Sequence, residues 1–367
     1  MKNILFSKPL INNSSAFKNL KQVVYKKFPN EGSFTKKFES DSKRILKSKY
    51  ALATTSGTMA LYLSLKALNI KSGDEVIIPN ITFQATVNAV KMSGAKPILV
   101  DINPKNLLID LNALKKSITK KTKVVIPVHV SGRGENIIEI LKICKKNKIK
   151  IIEDAAEAFG SKIKKKYLGN YGECGCFSFA PNKIITTGQG GLIITNKKKI
   201  FQKLKALKNQ GRIGQSTGGE DNFVSWGINS RFTNLQAAFG LSQLKTFNQR
   251  KKKLIDNYKF YLKELVQNKD FRIFNFDIKN GELPLWTDVY SSRRNKLIKF
   301  LKRNNIQCRP YWLPINTTIP YKNPKKKFPN SKKLFKKLMW LPSSLDLTTK
   351  ELKKVCKKIN EFNSKVL

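Results

Sequence analysis

Histidine is almost absent from this chain: His129 stands alone among 367 residues. A lone histidine leaves no second imidazole for a histidine-based metal centre. Acid is also scarce, with 24 Asp and Glu against 72 Lys and Arg, a formal net charge of +48. Arginine supplies ten of those cations, so 72 − 10 leaves 62 lysines. The residue best suited to reading bases is therefore thin on the chain. The lysines are spread throughout, including runs at 164–166, 197–199, 251–253 and 325–327, with no basic arm interleaved with aromatics. That pattern predicts a solvated basic surface and no nucleic-acid partner, although a positive field would draw an anionic small molecule. Cysteine is limited to positions 144, 174, 176, 308 and 356, an odd number without a CxxC pair, which excludes a disulfide framework and zinc spacing and predicts reduced thiols. No apolar run approaches the ~18 residues of a membrane span, and no secretory leader is evident. A soluble, cytoplasmic protein without a membrane partner is expected.

What is present is a beat of short strand and helix. Glu75–Pro79, Pro97–Ile102, Lys123–Val128 and Ile149–Asp154 read as strands. Phe34–Leu46, Met59–Leu68, Thr82–Met92, Leu111–Ser117 and Ile137–Asn147 read as helices. Such alternation predicts an α/β fold whose sheet is mostly parallel, with helices on both faces and ligands at the carboxyl ends of the strands. Helices are further expected over Lys198–Lys208 and Asn234–Leu244, and a charged one over 245–267. From there the pattern becomes α+β: a strand-like Trp286–Ser291, a helix 293–304, a proline-rich stretch 309–329 and a last helix 349–363. We therefore expect a large domain over 1–245, its first 30 residues a polar arm, and a small domain over 246–367. A glycine-rich loop is expected at 211–219.

The chemistry concentrates between Ile149 and Thr195. The strand Ile149–Ile152 stops at Glu153 and Asp154, which delivers a carboxylate to a strand end. A second apolar run, Cys176–Ala180, leads to Lys183 and the glycine-punctuated turn Thr186–Gly191. The sequence neighbours of Lys183 are aromatic, aliphatic and small, with no acid among them. A lysine so placed is expected to shed its proton near neutral pH and act as a nucleophilic amine. An acid at a strand end and such a lysine are the two protein groups a pyridoxal phosphate site needs. Ser56, Gly57 and Thr58 open a helix and suit a phosphate. Phe83 fits either a core position or a ring stacked on a flat cofactor. His129 lies at a strand end on the same side of the sheet, either as a supporting group or as a substrate contact.

These strings are more specific together. EDAAEAFGSK from Glu153, NKIITTGQGG from Asn182, GINSRFTNLQAAFG from Gly227 and NNIQCRPYWLPIN from Asn304 resemble the DegT/DnrJ/StrS sugar-aminotransferase family over nearly the whole chain. The resemblance implies the pyridoxal phosphate fold of aspartate aminotransferase type. It implies Lys183 as the lysine that joins the cofactor aldehyde and moves the proton, with Asp154 on the pyridinium nitrogen. Phe83 would stack on the ring, Glu157 would sit near the 3-hydroxyl, and Gly57, Thr58 and Ser178 would hold the phosphate. Asn229 would reach the phosphate of a partner subunit in a homodimer with shared sites, and His129, Arg231, Arg309 and Asn316 would face substrate. Glutamate would be the donor and a nucleotide-linked keto-sugar the acceptor. Within the family the strings look most like those of the perosamine synthases, which aminate the 4-keto group of a GDP-linked 6-deoxy sugar for surface polysaccharide. Lys183 argues against the related dehydratases, which carry His there. Three departures bear on the substrate: Gln189 replaces the Glu of TTGEGG, Asn316 replaces a His, and Tyr311–Trp312 makes the nearby pocket bulky. They leave a different 3- or 4-keto sugar open, and a regulatory protein that keeps the fold without turnover is opposed by the intact Lys183, Asp154 and Ser178.

Overall fold

The computed structural model describes residues 3–11, 13–214, 221–324 and 326–364. Residues 215–219 of the glycine-rich loop and Lys325 of the last lysine run lie outside the described residues. The central sheet holds β1 (Tyr50–Thr54), β2 (Glu75–Pro79), β3 (Lys96–Val100), β4 (Thr122–Val125), β5 (Lys150–Asp154), β6 (Cys174–Ser178) and β7 (Gly191–Thr195). Their order is β1-β7-β6-β5-β4-β2-β3. From β6 to β3 every pairing is parallel, whereas β7 runs antiparallel to both β1 and β6.

Burial follows a period of two. Val76 and Ile78 enter the apolar cluster beneath α3 (Gly57–Ala67), α4 (Gln84–Met92) and α7 (Lys198–Lys208), while Ile77 enters the cluster beneath α5 (Leu111–Ser117) and α6 (Ile137–Lys146). A parallel sheet covered on both faces requires this, which is why β2 reads as an unbroken apolar run. All five cysteines are free and buried.

Several expected boundaries move. The strand expected over 123–128 ends at Val125, because Pro127 cannot donate to a ladder. The charged helix expected from 245 to 267 is α9, Phe247–Glu264. It follows α8 (Asn234–Leu244) almost directly, with Thr246 between helical turns. The supposed polar arm contains helix α1 (Asn13–Tyr25), packed on α8 through Asn19 Nδ2 donating to the Ala238 carbonyl at 3.0 Å. Ahead of it, Ile4 pairs with Ile306 beside the second sheet. That sheet comprises β8 (Phe271–Ile273), β9 (Asp288–Ser291), β10 (Arg309–Pro310) and β11 (Leu338–Trp340) in the antiparallel order β8-β9-β11-β10. It is backed by α9, α10 (Arg294–Arg303) and α12 (Thr349–Ser364), whose buried residues form a separate core. Helix α2 (Ser33–Leu46) precedes β1 and packs on α8, and the short helix α11 (Pro329–Leu334) lies between β10 and β11. The architecture is α/β with a mostly parallel sheet and an α+β C-terminal part.

Among the described residues no helix is long and apolar enough to cross a membrane. No cluster of three or more His, Cys, Asp or Glu side chains among them could hold a metal ion.

Candidate active site

The carboxyl ends of β5 and β6 and the hairpin into β7 converge on one pocket. Asp154, the last residue of β5, is 5% exposed. Its Oδ2 accepts from Thr86 Oγ1 at 2.7 Å and its Oδ1 from the Ala156 N–H at 3.2 Å. Burial pushes this carboxyl above the usual carboxylate range, opposed by Thr86, the Ala156 N–H, Lys183 and His129. A carboxylate so desolvated is stabilised by an added cation.

His129 sits directly behind it. Its backbone N–H donates to the Asp154 carbonyl at 3.0 Å. Its ring is 2% exposed, with Nε2 2.9 Å from Glu153 Oε2 and Nδ1 3.2 Å from the Arg133 carbonyl. Glu153 also accepts the N–H groups of Gly169, Tyr171 and Gly172. Both ring nitrogens of His129 are thus engaged within the protein, which favours the supporting role over the substrate contact.

Lys183 lies in the tight turn after β6, its N–H on the Ala180 carbonyl at 3.0 Å. Its side chain is 11% exposed, with Nζ 3.3 Å from Glu157 Oε1 and 4.9 Å from the centre of the Trp286 ring. This corrects the expectation drawn from the sequence neighbours of Lys183: an acid does face it, brought from 26 residues upstream by the turn after β5. Glu157 is 7% exposed, and its Oε2 accepts the Ser131 N–H at 2.8 Å. Burial raises its carboxyl too, with Lys183 and the Ser131 N–H acting against the rise.

A cradle opens beside this pair. Ser56 caps α3, its hydroxyl accepting the Met59 N–H at 3.2 Å, so Gly57 and Thr58 present the free N-terminal turn of the helix. A Cβ on Gly57 would come within 3.0 Å of Ser178 Cβ, and one on Gly191 within 2.2 Å of the Ser56 carbonyl oxygen. The absence of side chains there leaves the helix mouth open against the half-buried Ser178. Helix N–H groups, a serine hydroxyl, a lysine and a desolvated carboxylate form a donor set that fits the phosphate, aldehyde and ring nitrogen of pyridoxal phosphate.

The remaining expected residues are dispersed around this centre. Phe83 is 58% exposed at the start of α4, its ring 6.4 Å from that of Trp312. Asn316 pairs reciprocally with buried Asn80 at the end of β2: Asn80 Nδ2 donates to its Oδ1 at 2.9 Å and its N–H donates to Asn80 Oδ1 at 3.1 Å. Asn229 and Arg231 are exposed and bound to one another, Arg231 Nε donating to Asn229 Oδ1 at 3.4 Å. Arg309 is exposed on β10, its guanidinium 5.0 Å from the Phe6 ring. Sequence reasoning missed Thr86, Ser131, Trp286 and Asp288. Of these only Ser131 carried a signal, as the residue before a glycine just beyond the strand end that holds His129.

A sequence profile of the DegT/DnrJ/EryC1/StrS aminotransferase family matches residues 11–360. GDP-perosamine synthase of Escherichia coli O157:H7 is 36% identical over 341 residues, covering 91% of each chain. GDP-perosamine synthase of Vibrio cholerae is 33% identical over 342 residues, covering 90% of this chain and 92% of the relative. A Streptococcus pneumoniae protein assigned as a sugar aminotransferase and solved in its PLP form superposes over 100% of both chains with a TM-score of 0.91 at 24% identity.

Proposed function

The chain belongs to the DegT/DnrJ/EryC1/StrS aminotransferase family, and from that premise we propose that it moves the amino group of glutamate onto a keto group of a nucleotide-linked deoxy-sugar. Pyridoxal phosphate supplies the carbonyl that carries the amino group between the two substrates and a ring that takes up the electrons of the breaking C–H bond. The observation that carries this reading is the largely enclosed Lys183, its side chain 11% exposed and paired with Glu157, in the turn that follows Ser178 of the cradle and at the same carboxyl end of the sheet as Asp154.

Each residue has a task that its surroundings support. The mouth of α3, with Gly57, Thr58 and Ser178, binds the phosphate through N–H and hydroxyl donors. Asp154, fixed by Thr86, keeps a proton on the ring nitrogen. Phe83, exposed at the start of α4, would lie against the cofactor ring. Lys183 Nζ would take a proton from the α-carbon of the donor and deliver it two bonds away, to the carbon that the cofactor aldehyde supplies; the same nitrogen would work in reverse on the sugar half. Trp286 over Nζ limits water around that transfer.

GDP-4-keto-6-deoxymannose is the first substrate to test, since the relatives named above are GDP-perosamine synthases. The excess of cations favours an anionic nucleotide sugar. A different keto-sugar is the second reading, favoured by Asn316, whose side-chain Oδ1 and backbone N–H Asn80 already engages. Arg231, Arg309 and Asn316 are the substrate-side residues of this reading, with His129 supporting Asp154 from behind. A cytoplasmic homodimer, in which exposed Asn229 completes the neighbour's phosphate site, and a product destined for surface polysaccharide or O-antigen complete the proposal.

The test is an absorbance spectrum of the protein with pyridoxal phosphate, before and after glutamate and then the GDP-keto-sugar. A visible band that glutamate bleaches and the keto-sugar restores is expected, and it should be missing in Lys183→Ala. A full band in that variant refutes the role of Lys183. Bleaching without recovery moves the acceptor to another sugar.

A further inference from the structure

The turn that carries Glu157's backbone donor is itself held from the second sheet. Ser131 has φ +53° and ψ 14°, the left-handed region that non-glycine residues seldom occupy. Four bonds fix it there. Its N–H donates to Glu157 Oε2 at 2.8 Å, its hydroxyl donates to Asp288 Oδ1 at 2.8 Å and accepts from Trp340 Nε1 at 3.3 Å, and its carbonyl accepts the Leu285 N–H at 2.9 Å. Asp288, the first residue of β9, is fully buried and also accepts from Trp340 Nε1 at 2.6 Å, Tyr311 Oη and Arg133 Nη1. Among the described residues, Ser131 alone stands between the Asp288 network and Glu157 in a chain of bonds that ends on Lys183 Nζ.

Resting on the function proposed above, we propose that Asp288 is a positioning residue for the reaction: through Ser131 it holds the Glu157 carboxylate against Lys183 Nζ and so sets where the Lys183 proton sits. The pair is enclosed from every side by named groups. Asp154 faces it from β5 and His129 stands behind Asp154, while Arg133, Asp288 and Tyr311 lie beyond Glu157 and the Trp286 ring covers Nζ. A carboxylate fixed at 3.3 Å favours the protonated nitrogen, and one free to swing away favours it less. The left-handed conformation of Ser131 persists because the four bonds over-determine it, which is where strain and function coincide.

The test is a pH titration of the visible absorbance of the protein loaded with pyridoxal phosphate, without substrates, alongside thermal unfolding of each variant. Glu157→Gln should lower the midpoint by about one pH unit or more, a tenfold change in the proton equilibrium. Ser131→Ala, which removes both hydroxyl bonds, the one donated to Asp288 and the one accepted from Trp340 Nε1, and leaves the backbone donor, should lower it in the same direction by about half a unit. Asp288→Asn should do likewise, and where it fails to fold Ser131→Ala decides alone. The Ser131→Ala, Glu157→Gln double variant should match Glu157→Gln, since the relay has then lost its end. A Ser131→Ala protein that melts lower but titrates as the wild type overturns the relay and leaves the proposed function standing. A wild type with no Lys183-dependent visible band overturns the proposed function, and the relay with it.

Discussion

Replacing Arg133 by methionine would remove the cation seated on Asp288 while preserving most of the side-chain volume. Arg133 is 1% exposed and bonds to Asp288 through Nη1, to the Asn275 carbonyl through Nε at 3.0 Å and to the Phe274 carbonyl through Nη2 at 3.2 Å. Its guanidinium also lies 3.7 Å from the centre of the Phe276 ring. The variant strands a fully buried carboxylate, whose remaining donors are the hydroxyls of Ser131 and Tyr311 and the Trp340 N–H. Breaking one side of a buried pair costs about 3–5 kcal/mol, because the surviving charge is left without its partner. The Asn275 carbonyl also loses its donor, worth about 1 kcal/mol, whereas the Phe274 carbonyl keeps the Tyr258 hydroxyl at 3.2 Å. Asp288→Asn strands the guanidinium instead and should cost a similar ~3 kcal/mol. The double variant removes both charges, so it should be less destabilised than the sum of the singles by about 2–3 kcal/mol. Urea unfolding of the four proteins, followed by far-ultraviolet circular dichroism, measures the cycle. A coupling below about 0.5 kcal/mol would show that the two charges are solvated independently and would refute the argument.

Other substitutions test other parts of the site. Gly57→Ala puts a Cβ 3.0 Å from Ser178 Cβ, and pyridoxal phosphate affinity, titrated by absorbance, should fall about tenfold or more while the melting temperature changes little. Asn80→Ala removes both amide bonds to Asn316, costing about 1–3 kcal/mol locally; limited proteolysis should then cut faster within 311–328, and unchanged cleavage would sink the idea that this pair fastens the loop. Glu39 is half-buried beside the buried Lys208, and desolvation raises its carboxyl above 4.5, opposed mainly by Lys208. A raised carboxylate binds protons more tightly in the folded state, so its contribution to stability declines as pH rises from about 4.5 through the raised value. Glu39→Gln should flatten that part of the urea-midpoint profile, and an unchanged slope would exclude Glu39 as its source.

The fold was legible wherever local rules act alone. The apolar run Glu75–Pro79 and the helices 111–117, 198–208 and 234–244 need no distant partner to declare themselves, and the structure places them at those residues. Helix α1 was passed over as a polar arm although Ala16, Phe17, Leu20, Val23 and Val24 recur at helical spacing; Ala16 and Val23 are buried, while Phe17, Val24 and Tyr25 face solvent. The reversal of β7 was invisible because alternation is the same in either direction. Strands β8 and β11 span three residues each, too short to show a period. In the site, Asp154 and Lys183 announce themselves at the ends of apolar runs. The Glu157–Lys183 contact and the Asp288 network join residues up to 157 positions apart, and no window of sequence contains both ends.

The aromatic cluster over the pocket has an optical consequence. The rings of Trp286, Trp312 and Trp340 lie 4.9 to 6.5 Å from one another, and Trp286 is also the ring against Lys183. Trp226, the fourth indole, is half exposed on a separate loop. Excitation of any of the three clustered indoles can hop among them and drain without radiation into a visible-absorbing group attached at Lys183. Occupancy of the pocket would therefore be written in the protein's own emission: the three clustered emitters dim together as the pocket fills, and loading can be followed without an added dye.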